Sequence, residues 1–160
     1  MTQSNSVKLI NTMQLIKGNI HKDHRGIIRF VNDFHFDKIK RFYTITHSDT
    51  TTIRAWQGHQ LETKYFYVTK GSFLINWIKI DNWRQPSKDL NINTHVLTDT
   101  QSEILTIPPG HATGFKALEP NSIMIVFSDK SLDESKEDDY RFHQDYWKLV
   151  TQSNSELYTE

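Results

Sequence analysis

The sequence has no cysteine, which excludes a disulfide scaffold and thiolate zinc sites and fits a reducing compartment. It also lacks an excess of either charge: 19 basic and 19 acidic residues cancel, so no overall field recruits nucleic acid or an anionic membrane. A small neutral-to-anionic ligand in a local pocket stays open. No apolar run approaches the roughly 18 residues of a spanning helix, and the opening MTQSNSVKLINTMQ lacks the basic start and apolar stretch of a signal peptide. The expectation is a cytoplasmic protein with no nucleic-acid or membrane partner. Long stretches of period 3.6 are nearly missing as well, which argues against helical or alternating α/β architectures.

At 160 residues the chain fits one domain, expected over 1–150, with 151–160 as a polar tail. The string TQSNS at both 2–6 and 151–155 is too short to establish a repeat. Runs rich in β-branched and aromatic residues predict strands at Gly26 to Val31, Ile39 to Thr46, Lys64 to Thr69, Ser72 to Ile80, Glu103 to Ile107, His111 to Ala117 and Ser122 to Phe127. Turn clusters such as His47-Ser48-Asp49, Lys70-Gly71-Ser72 and Pro108-Pro109-Gly110 separate them. This is the pattern of an all-β sandwich or barrel. The single helical candidate lies around Leu132 to Val150, a charged, aromatic-bearing helix or pair of turns capped by Asp133 or Ser135. Ser72 to Ile80 is apolar on both faces, so each must be covered, one by the opposing sheet and the other by that sheet or a partner subunit. A homodimer is therefore expected.

The densest polar cluster runs Arg54-Ala55-Trp56-Gln57-Gly58-His59-Gln60-Leu61-Glu62-Thr63-Lys64. A guanidinium, an imidazole and an ammonium feeding into one strand place cations at the end of a cavity, which suits an anionic or carbonyl ligand. The bland alternative is a charged edge and its turn.

The cluster resembles the first half of the cupin motif in two related groups of enzymes, the dTDP-4-dehydrorhamnose 3,5-epimerases and the dTDP-4-keto-6-deoxyglucose 3,4-ketoisomerases. The ketoisomerase pattern Arg-Gly-Gly-His-Ala-His, followed by Gly-Ser-Phe, is matched in spacing by Arg54, His59 and Gly71-Ser72-Phe73. Ile39-Lys40-Arg41-Phe42-Tyr43 resembles its Ile-Lys-Arg-Val-Tyr strand, and Ser128-Asp129 with Asp133-Glu134-Ser135 and Asp139-Tyr140 resembles its close. The epimerase likenesses are Asp23-His24-Arg25-Gly26, Lys64, and Ile107-Pro108-Pro109-Gly110-His111-Ala112-Thr113-Gly114-Phe115. Together they cover roughly residues 20–147.

The resemblance implies a cupin double-stranded β-helix, a jelly-roll barrel with a short C-terminal helical segment. It also implies a cofactor-independent isomerase acting on a dTDP-4-keto-6-deoxyhexose, in deoxysugar and surface-polysaccharide biosynthesis. The alternative is a sugar-nucleotide-binding cupin that has lost its base. In the implied chemistry a base removes the proton α to the keto group, donors hold the enolate oxygen, and reprotonation elsewhere gives the isomer. The family's catalytic histidine falls on Gln57, and an amide cannot abstract a proton. Its second-motif histidine falls on Thr113, and its tyrosine acid on Ile125 or Val126.

The expected roles follow. His59 acts as base, Lys64 and Tyr43 as enolate donors, and Arg54 and Arg25 as diphosphate clamps. Gln57, Trp56 and His111 contact substrate, Trp56 by stacking. A cupin metal site finds one good ligand of four, His59, so no metal is expected. His21, His24, His35, His47, His95 and His143 read as solvated loop or strand-edge residues.

Overall fold

The computed structural model describes residues 8–10 and 13–151; both TQSNS copies and the polar tail lie almost entirely outside this range. The chain runs β1 (Lys8–Ile10), β2 (Met13–Lys17), β3 (Asn19–Asp23), β4 (Gly26–Phe30), β5 (Arg41–His47), β6 (Ile53–His59), β7 (Lys64–Lys70) and β8 (Ser72–Lys79). It continues with β9 (Asn93–Thr98), β10 (Glu103–Ile107), β11 (His111–Ala117), β12 (Ser122–Ser128), α1 (Leu132–Lys136) and β13 (Tyr140–Arg141). A six-stranded sheet in the order β1-β2-β10-β7-β12-β5 faces a five-stranded sheet, β13-β6-β11-β8-β9, and their paired strands are antiparallel. This is the jelly-roll architecture. β3 and β4 form a separate hairpin. Among the described residues no helix is long and apolar enough to cross a membrane.

The two sheets meet through the inward residues of each strand. Phe66 and Val68 of β7, Phe73, Ile75 and Trp77 of β8, Leu105 and Ile107 of β10, and Met124 and Val126 of β12 form one core, as the period-2 alternation requires. The opposite face of β8 is covered from within the same chain. Ile78 and Ile80 pack with Trp56, Trp147 and Leu149 in a second core, joined by Trp83, Leu90, Phe142 and Tyr146. The two-faced strand thus gives no argument for a partner subunit, because residues 142–149 supply the cover.

The short C-terminal helical segment is present, with narrower bounds and a different cap from those expected. Only Leu132–Lys136 is helical, and its cap is Ser131, whose hydroxyl accepts from the Glu134 amide in a capping box. Beyond it the aromatic residues pack singly across the sheet instead of along one helix face, and β13 pairs with β6.

Candidate active site

Between the sheets, open at one end, lies a cavity of about 770 Å³. Strands β5, β6, β7 and β11 supply most of its wall; α1 and β13 stand at its mouth. Its charged lining is Arg41, Arg54, Lys64, Lys136 and Arg141 against Asp139. Five cations face one carboxylate in a chain with no net charge, so the cavity itself carries the anion-attracting field that the composition does not show.

Local strand geometry decides which side chains reach it. Arg41, Tyr43, Ile45 and His47 alternate inward on β5, and Lys64 and Phe66 on β7. On β6, Arg54 and Gln57 are three residues apart and would lie on opposite faces of a regular strand. The pairing with β11 slips at this point: Thr113 opposes Gln57, while Gly114 opposes Ala55. This bulge places Trp56 as the extra residue, and both Arg54 and Gln57 line the cavity.

In the centre of the wall, Lys64 Nζ donates to Gln57 Oε1 at 2.9 Å, and Gln57 Nε2 donates to Asp139 Oδ1 at 2.9 Å. Arg141 Nε donates to the same Asp139 oxygen at 2.8 Å. Burial opposes charge on Asp139, yet Arg141 and Gln57 outweigh it and hold the carboxyl below its ordinary range. Lys64 is buried, and desolvation lowers its amine to about 8, with Glu62 opposing and Arg41 adding to the fall. Tyr43 lies beneath both cations, 5.1 Å from the Arg41 guanidinium and 6.0 Å from Lys64 Nζ. Burial, reinforced by Glu62, pushes its phenol up to about 12, so it is a proton donor throughout the physiological range.

His59 does not line the cavity. Its Nδ1–H donates to the Asp138 carbonyl at 2.6 Å, with Glu62 Oε2 at 3.0 Å, and its enclosed Nε2 has no partner among the described residues. Burial lowers its pKa, and Lys64 lowers it further. Glu62, fully enclosed, also accepts from Ser128, Ser135 and Arg41. Asp138 accepts from the backbone amides of Gln60, Leu61 and Glu62 at 2.8–2.9 Å. The β6–β7 turn is therefore fastened by a buried polar knot, and His59 belongs to that knot.

Three other expected contacts are corrected. Arg25 sits at the turn of the β3–β4 hairpin, 74% exposed at its side chain and paired with Asp23 at 2.6 Å; it is not on the cavity wall. Trp56 borders the cavity, but its ring packs edge-on to Trp147 at 5.7 Å and its Nε1 donates to the Trp147 carbonyl, leaving no face for stacking. His111 pairs in register with His59 and is held by the Pro108 and Pro109 carbonyls, away from the lining. Of the residues expected from the sequence, the cavity brings together Tyr43, Arg54, Gln57 and Lys64, with Trp56 at its border. Arg41, Asp139 and Arg141 were missed. Arg41 shares its strand face with Tyr43, a period-2 signal that could have found it. The other two follow the helix and arrive only because β13 pairs with β6.

The matching family model is described as dTDP-4-dehydrorhamnose 3,5-epimerase and covers residues 8–149. The chain belongs to this family. It is therefore an isomerase, of the class that contains the dTDP-sugar epimerases and ketoisomerases. The dTDP-4-dehydrorhamnose 3,5-epimerase of Bacillus anthracis, solved with TDP and PPi bound, superposes with a TM-score of 0.68 at 19% identity, over 84% of this chain and 81% of that one. A histidine-to-asparagine variant of the Thermoanaerobacterium thermosaccharolyticum 3,4-ketoisomerase, in complex with TDP-4-keto-6-deoxyglucose, gives 0.64 at 25% identity over 86% and 93%. The Campylobacter jejuni TDP-quinovose 3,4-ketoisomerase gives 0.63 at 16% identity over 86% and 98%. No curated protein matches the chain in sequence.

Proposed function

We propose that this family member isomerises a dTDP-linked 4-keto-6-deoxyhexose, as a 3,4-ketoisomerase or epimerase, with Lys64 as the base that moves the proton next to the ketone. The observation that carries this is Lys64 itself, a buried amine on the cavity wall lowered to about 8. Near neutral pH a fraction of it is uncharged and can accept a proton, and the ammonium it becomes stands ready to stabilise the enolate. Gln57, where the resembling enzymes have their histidine, holds Nζ from one side and Asp139 from the other. Tyr43, protonated at working pH, is the donor for the keto oxygen. Arg54, Arg41 and Arg141 are the diphosphate donors, since guanidinium binds oxyanions bidentately. His59 takes a positioning role in the β6–β7 turn.

A sugar-nucleotide substrate and the lack of cysteine fit a cytoplasmic enzyme of deoxysugar and polysaccharide synthesis. A homodimer is supported by apolar surface outside the cores: Phe36 and Phe42 are 61% and 66% exposed beside Phe127, and Ile27 and Ile28 stand out on the hairpin.

The test is incubation of the enzyme with dTDP-4-keto-6-deoxyglucose in deuterated water. Solvent deuterium is expected at C3 or C5, at a rate rising with pH through about 8, because only the neutral amine accepts a proton. Lys64→Met lowers the rate by about a hundred- to ten-thousand-fold while dTDP still binds. Tight binding by the wild-type protein with no exchange at any pH makes it the binding module instead. Full exchange in Lys64→Met removes Lys64 as base.

A further inference from the structure

Arg54 reaches the cavity from an exposed strand position, and a free arginine there would lose much of its orientation to side-chain entropy. One side chain fixes it. Arg54 Nε donates to His47 Nε2 at 3.1 Å, and among the described residues this is its one side-chain hydrogen bond. We propose that His47 is a positioning residue for anion binding: its ring nitrogen orients the Arg54 guanidinium so that the two terminal amino groups face the diphosphate. This rests on the reading of Arg54 as a diphosphate donor.

His47 is built to hold still. It is the last residue of β5, inward in phase with Tyr43 and Ile45, and 3% exposed. Its ring lies edge-on to Phe73 at 5.4 Å and tilted against Phe115 at 5.8 Å, so packing on β8 and β11 sets its plane. Because Nε2 accepts, the neutral ring carries its proton on Nδ1, and among the described residues that buried N–H has no partner. Leaving a buried donor unsatisfied is destabilising, so the position is a poor choice for stability alone. Burial lowers the His47 pKa, the Arg54 charge lowers it further and Asp49 partly opposes both. The ring therefore stays an acceptor. With Nε spent on His47, the guanidinium keeps its paired Nη donors, the fork that grips phosphate oxygens.

The geometry separates three replacements. Gln puts an amide oxygen close to the place of Nε2, Asn puts one near Nδ1, and Phe keeps the ring without any acceptor. Calorimetric affinities for dTDP and for inorganic pyrophosphate measure the result, with thermal melting of each variant as the folding control. Arg54→Ala is expected to weaken dTDP about 10- to 100-fold. His47→Phe should lose about 3- to 10-fold, His47→Asn about the same, and His47→Gln less than about twofold. In the Arg54→Ala background His47→Phe should add nothing, which a general packing defect would not reproduce.

Equal losses from His47→Phe with and without Arg54, or failure of His47→Gln to restore binding in a folded protein, overturn the positioning role and leave the Arg54 reading intact. Unchanged affinity in Arg54→Ala, or no binding of either ligand by the wild type, overturns the Arg54 reading and this inference with it.

Discussion

Two polar regions adjoin each other in this barrel, and they are built on opposite rules. In the knot under the β6–β7 turn, Glu62 and Asp138 are spent on partners inside the chain: Ser128, Ser135, Arg41 and His59 for the first, three backbone amides for the second. In the cavity, Arg54, Lys64 and Tyr43 keep donors in hand, and the groups around Lys64 and Tyr43 push their pKa values to about 8 and about 12. Both regions draw on the same eleven-residue stretch from Arg54 to Lys64. The contrast teaches that chemical residue types do not mark a site by themselves; unspent hydrogen-bonding capacity facing solvent-accessible space does. Arg41 joins the two regions, donating to Glu62 while lining the cavity.

The strongest way to break this comparison is to empty the knot. Glu62→Ala leaves the Arg41 charge and three other donors without their buried acceptor, and should cost about 3–5 kcal/mol in a urea unfolding titration. A loss under about 1 kcal/mol would show that the knot is not structural.

Lys64→Met should do the reverse. Its folded pKa of about 8 lies below the usual 10.5, so at neutral pH the folded protein carries the cost of a buried ammonium. That cost is complete below pH 8, and it fades as pH rises to 10.5, because the unfolded chain then loses the same proton. The variant should gain about 1–3 kcal/mol at pH 7, and the gain should vanish above pH 10.5. An equal gain at both pH values would assign it to packing alone.

The smallest effect sharpens the boundary between the regions. His59→Asn keeps an N–H near the place of Nδ1, so stability should fall by only about 1 kcal/mol and deuterium exchange should stay within about threefold of wild type. A drop beyond a hundredfold, with melting unchanged, would move the base back to His59.

Alternation of apolar residues and turn clusters was enough to read an all-β sandwich or barrel, and the family resemblance narrowed it to the jelly roll. Seven strand runs were legible, with Glu103–Ile107 and His111–Ala117 at their observed bounds, because each half-buried strand writes its period in its own residues. β2, β3 and β9 were not read: β3 and β9 are mostly exposed or half-buried and alternate weakly, and β2, although Met13 and Leu15 point into the core, is only five residues long. The stretch that became β6 was read for its polar residues, and Arg54 and Gln57 there, with Lys64 at the start of β7, were picked out because charge and spacing are local properties.

What only the tertiary structure decided is which way those residues face and what they meet. The bulge at Trp56 reverses the parity of β6, turning Trp56 into the second core and Gln57 toward Lys64. A one-residue slip of this kind depends on the partner strand and leaves no mark in the periodicity. Asp138 and Asp139 are neighbours in sequence, yet one binds the knot and the other faces the cavity. They come from almost eighty residues after β6, so their roles exist only once the C-terminal segment has packed across the sheet. His47 shows the same division: the sequence placed it in a turn as a solvated loop or strand-edge histidine, whereas it is the buried last residue of β5, and its partnership with Arg54 needed two strands to meet. Local patterning determined the sheets, and long-range packing determined the chemistry, because a pKa or a free donor is a property of the surroundings and not of the residue.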